Sequence, residues 1–83
     1  MDPYVAWLLD GVETNGVYLV EEDLPTYIIV TQRDEVIVSR MKISDPPVIS
    51  DVNVVVLTPD EWENLETLNP GLKKLLEISR RVI

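Results

Sequence analysis

Apolar positions along this chain switch between helical and strand spacing, and each switch coincides with a local signal. Behind Asp2-Pro3, an N-cap residue followed by a first-turn proline, apolar side chains recur at 4, 5, 8 and 9. That stripe predicts a short N-terminal helix, ended by Gly11. Asn15-Gly16 is a turn signal, and Val17-Tyr18-Leu19-Val20 after it reads as a strand. The acidic loop Glu21-Glu22-Asp23 and Leu24-Pro25 lead into Thr26-Tyr27-Ile28-Ile29-Val30-Thr31, a strand apolar on both faces. Gln32-Arg33-Asp34-Glu35 is short enough to make a hairpin with Val36-Ile37-Val38. Beyond Ser39, Arg40 and Lys42 alternate with Met41 and Ile43, so 36–43 is expected to lie near a sheet edge with one face in water.

Asp45-Pro46-Pro47 breaks the pattern, and Val52-Asn53-Val54-Val55-Val56-Leu57 then reads as a strand buried on both sides and therefore central. Thr58-Pro59-Asp60-Glu61 has the spacing of a capping box with proline at the first helical position. Trp62, Leu65 and Leu68 are the expected buried stripe of that helix. Pro70 interrupts it, and Asn69 is placed to cap a further helix with Leu72, Leu75 and Leu76 inside. Val82-Ile83 forms a last short strand or frays. Residues 1–83 thus read as a single α+β domain. A mixed or antiparallel sheet of three to four strands carries an N-terminal helix and C-terminal helices packed on it.

Composition narrows the chemistry. The 83 residues include no cysteine and no histidine, which removes disulfides and thiolate or imidazole metal sites. Ser39, Ser44, Ser50 and Ser79 accordingly lack the usual base for nucleophilic catalysis. Three scattered glycines form no phosphate-binding loop, and the clusters Glu21-Glu22-Asp23 and Asp60-Glu61-Glu63 lack EF-hand spacing. They read as a solvated loop and a favourable helix N-terminus. Fifteen Asp and Glu against seven Lys and Arg give a net charge of −8, which argues against direct nucleic-acid or anionic-membrane binding. No apolar run is long enough to span a bilayer and no basic n-region opens the chain, which points to a cytoplasmic protein. The charge is uneven: Lys73, Lys74, Arg80 and Arg81 crowd the end of the chain, where they can meet the acidic part within one molecule or between two.

One stretch resembles a known family. Val52 to Leu76 runs through a strand reading D-V-N-V-V-V-L-T, a capped P-D-E-W helix and then N-P-x-L-K-K-L-L-E. It is similar to the C-terminal part of the minimal (MNT-type) nucleotidyltransferases of the polymerase-β superfamily. Membership implies metal-holding carboxylates, presented after a Gly-Ser turn as Ser-Asp-x-Asp with a third Asp on a later strand. This chain departs from each. If Val17–Val20 is the first family strand, Glu21-Glu22 replaces Gly-Ser, Thr26-Tyr27-Ile28-Ile29 has no carboxylate, and Asn53 stands at the third Asp position. If Ser50-Asp51-Val52-Asn53 is aligned on Ser-Asp-x-Asp, Asn53 again replaces a carboxylate. A neutral amide neither offsets metal charge nor acts as a base, so the resemblance implies a degenerate site.

The function expected from the sequence is a non-catalytic protein-interaction or accessory domain, not an enzyme, possessing no cofactor or metal site. The resemblance adds a protein partner, because small members of that superfamily often work beside a helical one. Two other classes stay open: a nucleotidyltransferase subunit completed by carboxylates from another chain, and an acidic mimic of nucleic acid. A homodimer is expected, since a chain near the lower size for a self-sufficient core has no disulfide to support it. Its candidate interface residues are Tyr4 and Trp7 on the N-terminal helix, and Arg40 and Lys42 on the expected 36–43 edge.

Overall fold

The computed structural model describes residues 1–83. Helix α1 (Pro3–Leu9) precedes strands β1 (Gly16–Val20) and β2 (Thr26–Val30), helix α2 (Asp34–Met41) and strand β3 (Asn53–Leu57). Helices α3 (Pro59–Glu63), α4 (Leu65–Leu68) and α5 (Pro70–Glu77) follow, and β4 (Arg80–Arg81) ends the order. The fold is α+β: a four-stranded mixed sheet in the order β3-β2-β1-β4. β1 pairs antiparallel with β2, placing Val17 opposite Ile29 and Leu19 opposite Tyr27. β3 runs parallel to β2, and β4 runs antiparallel to β1.

Strand alternation splits the core into two layers. Val17, Leu19, Tyr27 and Ile29 face Val5 and Leu8 of α1 and Ile37 of α2. Val20, Ile28 and Leu57 face Leu65 and Leu72, with Tyr18, Val55, Trp62, Leu75 and Leu76 around them. Local chemistry sets the helix starts. Asp2 Oδ1 accepts from the Tyr4 and Val5 amides (2.9 and 3.1 Å). Thr58 Oγ1 accepts from the Glu61 amide while Glu61 Oε1 accepts from the Thr58 amide, completing the capping box. Asn69 Oδ1 accepts from the Leu72 amide to open α5. After α1, Gly11 takes φ +72°, a conformation glycine adopts without steric cost.

Four expectations are corrected. Val36-Ile37-Val38 does not form a hairpin strand; residues 34–41 form α2, the crossover that a parallel β2–β3 pair requires. Arg40 and Lys42 therefore lie on no sheet edge. The 52–57 run is not central: its strand, β3, lies at one edge of the sheet, and the fully covered strand is β2, with Tyr27, Ile28, Ile29 and Val30 all buried. The helix after Thr58 breaks at Asn64, so Leu68 points to solvent while Leu65 is buried. The last strand starts earlier than expected, at Arg80–Arg81, and the Val82 amide continues its pairing by donating to the Val17 carbonyl (2.8 Å).

Candidate functional site

β3 is the one long strand with an open side, and its backbone can be followed residue by residue. The Asn53 amide donates to the Pro25 carbonyl (2.8 Å), and the Leu57 carbonyl accepts from the Thr31 amide (2.9 Å). A parallel ladder engages alternate residues of an edge strand. Asn53, Val55 and Leu57 thus turn their N–H and C=O groups to β2, and Val54 and Val56 turn theirs to the open side. The side chains of Val54 and Val56 lie on the α1/α2 face, and that of Val55 lies on the α3–α5 face; all three are only half-buried. β3 contains no charged residue and no proline, the usual devices that stop an edge from pairing.

Helix α2 extends this surface. Ile37 is fully buried against the sheet. At about 100° per residue, Arg40 falls on one flank of the helix, and Val38 and Met41 fall on the other. Arg40 identifies its flank: the guanidinium Nη1 donates to the backbone carbonyls of Trp7, Leu8 and Asp10 (3.3, 3.0 and 2.7 Å) at the C-terminal end of α1. Val38 and Met41 therefore face away from α1, on the side of β3, and each is 37% exposed. Ile43, just past the helix end, is 47% exposed. The result is an apolar strip formed by the flank of α2 and the open edge of β3.

The other residues singled out by sequence are not in this strip. Tyr4 and Trp7 pack half-buried against the core on the α1 side, with ring centroids 6.0 Å apart. Lys42 is exposed at the C-cap of α2. Asn53 is exposed at the start of β3, its amide 3.5 Å from Thr26 Oγ1. No three carboxylates of the chain come within reach of one cation. Glu21 of the acidic loop pairs with Arg80 (2.8 Å), so the acidic and basic parts meet within one molecule. Glu61 is occupied by the capping box. At Glu35, its own backbone N–H, and then the Arg33 guanidinium, hold the carboxyl below the ordinary value of 4.5.

Sequence reasoning missed two arrangements. Tyr18 stacks on Trp62 at 4.7 Å with Arg81 5.8 Å above the Tyr18 ring, and this stack lines a shallow concavity of about 310 Å³ with Lys73 and Ser79. Arg81 is itself committed, donating to the Ile83 and Asn15 carbonyls. Thr31, fully buried, donates to the Glu13 carbonyl (2.7 Å) and accepts from the Arg33 amide (3.0 Å), tying the loop before β1 to the start of α2. Partners eighteen residues apart leave no local signal for the first of these bonds.

No helix is long and apolar enough to cross a membrane. No family model, curated protein or solved structure matches this chain.

Proposed function

We propose that the chain is a non-catalytic interaction or accessory domain that binds another polypeptide as an added strand along β3. The observation that carries this reading is the uncharged edge of β3, whose Val54 and Val56 backbone groups have no partner, beside the exposed Val38 and Met41 of α2. Main-chain hydrogen bonds would supply much of the affinity in such a mode, and the flanking apolar side chains would select the partner. The homodimer expected from sequence belongs to this reading, with β3 replacing 36–43 as the pairing edge. Descent from a nucleotidyltransferase that lost its site is the companion proposal. Its support is the order strand, capped helix, Asn69-capped helix over 53–77, with exposed Asn53 where the family has a carboxylate.

Hydrogen exchange tests the interaction. In the assembled protein, as purified from its native host, the Val54 and Val56 amides should exchange more slowly than in the dilute isolated chain. Assembly that leaves both unchanged refutes strand addition. Calorimetry with Mn²⁺ and a nucleoside triphosphate tests the catalytic side. A stoichiometric, nucleotide-dependent signal would overturn the non-catalytic reading, and Asn53→Asp alone is expected to create none.

A further inference from the structure

We infer that the polypeptide received by β3 is a second copy of this chain, paired antiparallel about a twofold axis through Val55, so that two four-stranded sheets become one. This rests on the reading of β3 as an interaction edge and specifies its occupant.

Register supplies the first support. Only pairing centred on Val55 overlaps all of Asn53–Leu57 in both copies. In that register Val54 of one copy stands opposite Val56 of the other, and both have outward backbone groups. Each such pair exchanges both of its N–H···O=C bonds, while the two Val55 residues form the closer, unbonded pair between them. The edge is complementary to itself and satisfies every outward group of Val54 and Val56.

Charge supplies the second. Each chain carries −8, so most approaches of two copies bring carboxylates together. β3 has no ionisable side chain, and the twofold sets Asp51 opposite Pro59 and Asp60 opposite Ser50 of the other copy. A register shifted to centre on Val56 would instead set Asp51 against Glu61. The axis stands perpendicular to the extended sheet, so the two α2 helices lie side by side and antiparallel. Their Val38 and Met41 flanks then face each other, and the acidic first turn of each, Asp34 and Glu35, lies near the Lys42 end of its mate.

Area supplies the third. A standard interface takes about 800 Å² from each partner, a substantial part of the 5322 Å² this chain exposes. A five-residue edge alone falls well short of that, whereas edge and helix flank together form one continuous apolar strip. A twofold axis covers both at once, as befits an isologous contact.

Light scattering and amide exchange on the full chain, from low to high micromolar concentration, are the test. Expected is a dimer that forms with rising concentration, does not weaken with salt, and slows exchange at Val54 and Val56 in step. Val56→Pro removes an outward N–H and exchanges one half-buried side chain for another while keeping every bond to β2, so it should give a folded, somewhat less stable monomer. Met41→Lys, at an exposed helical position, should weaken association at least ~tenfold while leaving the dilute chain's unfolding unchanged. A dimer whose Val54 and Val56 amides exchange freely, or one indifferent to both substitutions, overturns this interface. A chain that stays monomeric, with those amides protected only when a different polypeptide is bound, overturns self-pairing and leaves the interaction reading standing. Free exchange at both amides in every sample, the host-purified assembly included, overturns the two together.

Discussion

Replacing Arg40 by Met should destabilise the fold far more than its position near the surface suggests. Arg40 Nη1 lies 2.7, 3.0 and 3.3 Å from the carbonyls of Asp10, Leu8 and Trp7. One nitrogen carries two hydrogens, so two of these are good bonds and the longest is shared. Helix α1 has seven residues and no basic side chain in its own last turn, which leaves Arg40 as the cation at its carbonyl end. Hydrogen bonds to a charged group contribute about 1.5–3 kcal/mol, and the helix dipole adds about 0.3–1 kcal/mol. Water replaces part of this, since the Asp10 carbonyl is exposed. A net loss of about 2 kcal/mol remains, which at a urea slope of about 1 kcal/mol per molar lowers the midpoint by about 2 M. Methionine keeps most of the apolar stem, so the loss reads the guanidinium. Arg33→Met is the control, because its ion pair with Glu35 is solvent-exposed and contributes little to stability. Both are compared at one low protein concentration, where association does not add to stability. Should Arg40→Met move the midpoint no further than Arg33→Met does, the assignment of Arg40 as the clasp between α1 and α2 is wrong.

Thr31→Val fills the same buried space but strands the Glu13 carbonyl and the Arg33 amide, and should cost about 2 kcal/mol in urea unfolding. Thr58→Ala breaks the capping box and should cost about 1 kcal/mol, measured in the same way. NMR titration should place the Glu35 carboxyl midpoint below 4.5, and Arg33→Met should raise it only partway, because the larger cause is the backbone N–H. With its folded value depressed, Glu35 contributes stability above 4.5 and loses it as pH falls through the lower folded value, so the contribution disappears on the acid side alone. Val38→Ala gains about 0.5 kcal/mol of helix propensity while removing part of the α2 flank. Lost burial offsets that gain, so the dilute chain's urea midpoint should change little while association weakens, and unchanged association counts against the flank's role.

Features written in adjacent residues were legible. Asp2-Pro3, Thr58 to Glu61 and Asn69 each announce a helix start, and the side-chain oxygens make the expected bonds. The strands at 17–20 and 26–31, the N-terminal helix and the C-terminal helices also follow from spacing. Val36-Ile37-Val38 misled because three consecutive β-branched residues favour a strand, by a margin that tertiary contacts easily exceed. Burial of Ile37 and the reach of Arg40 to α1, thirty or more residues earlier, make this segment a helix. Neither contact is visible at short range.

The misplacement of β3 has a different origin, and it bears on what the protein does. Alternation of apolar side chains reports which faces of a strand are covered, whereas pairing at its two edges is made by backbone groups that every residue carries alike. Thr26–Val30 and Asn53–Leu57 are both apolar on both faces, and nothing in the side chains says that one has two neighbours and the other has one. At an open edge such a run is normally a liability, met with charge, proline or a covering loop. β3 has no charge or proline, and Val54, Val55 and Val56 keep part of their surface in water. The chain thus carries more apolarity at this edge than its own fold covers, and α2 adds Val38 and Met41 beside it. The segment read as an edge and the segment read as the centre prove to be neighbours along one flank. The apolar surplus that made each read as a strand is the same surplus that an added strand would cover.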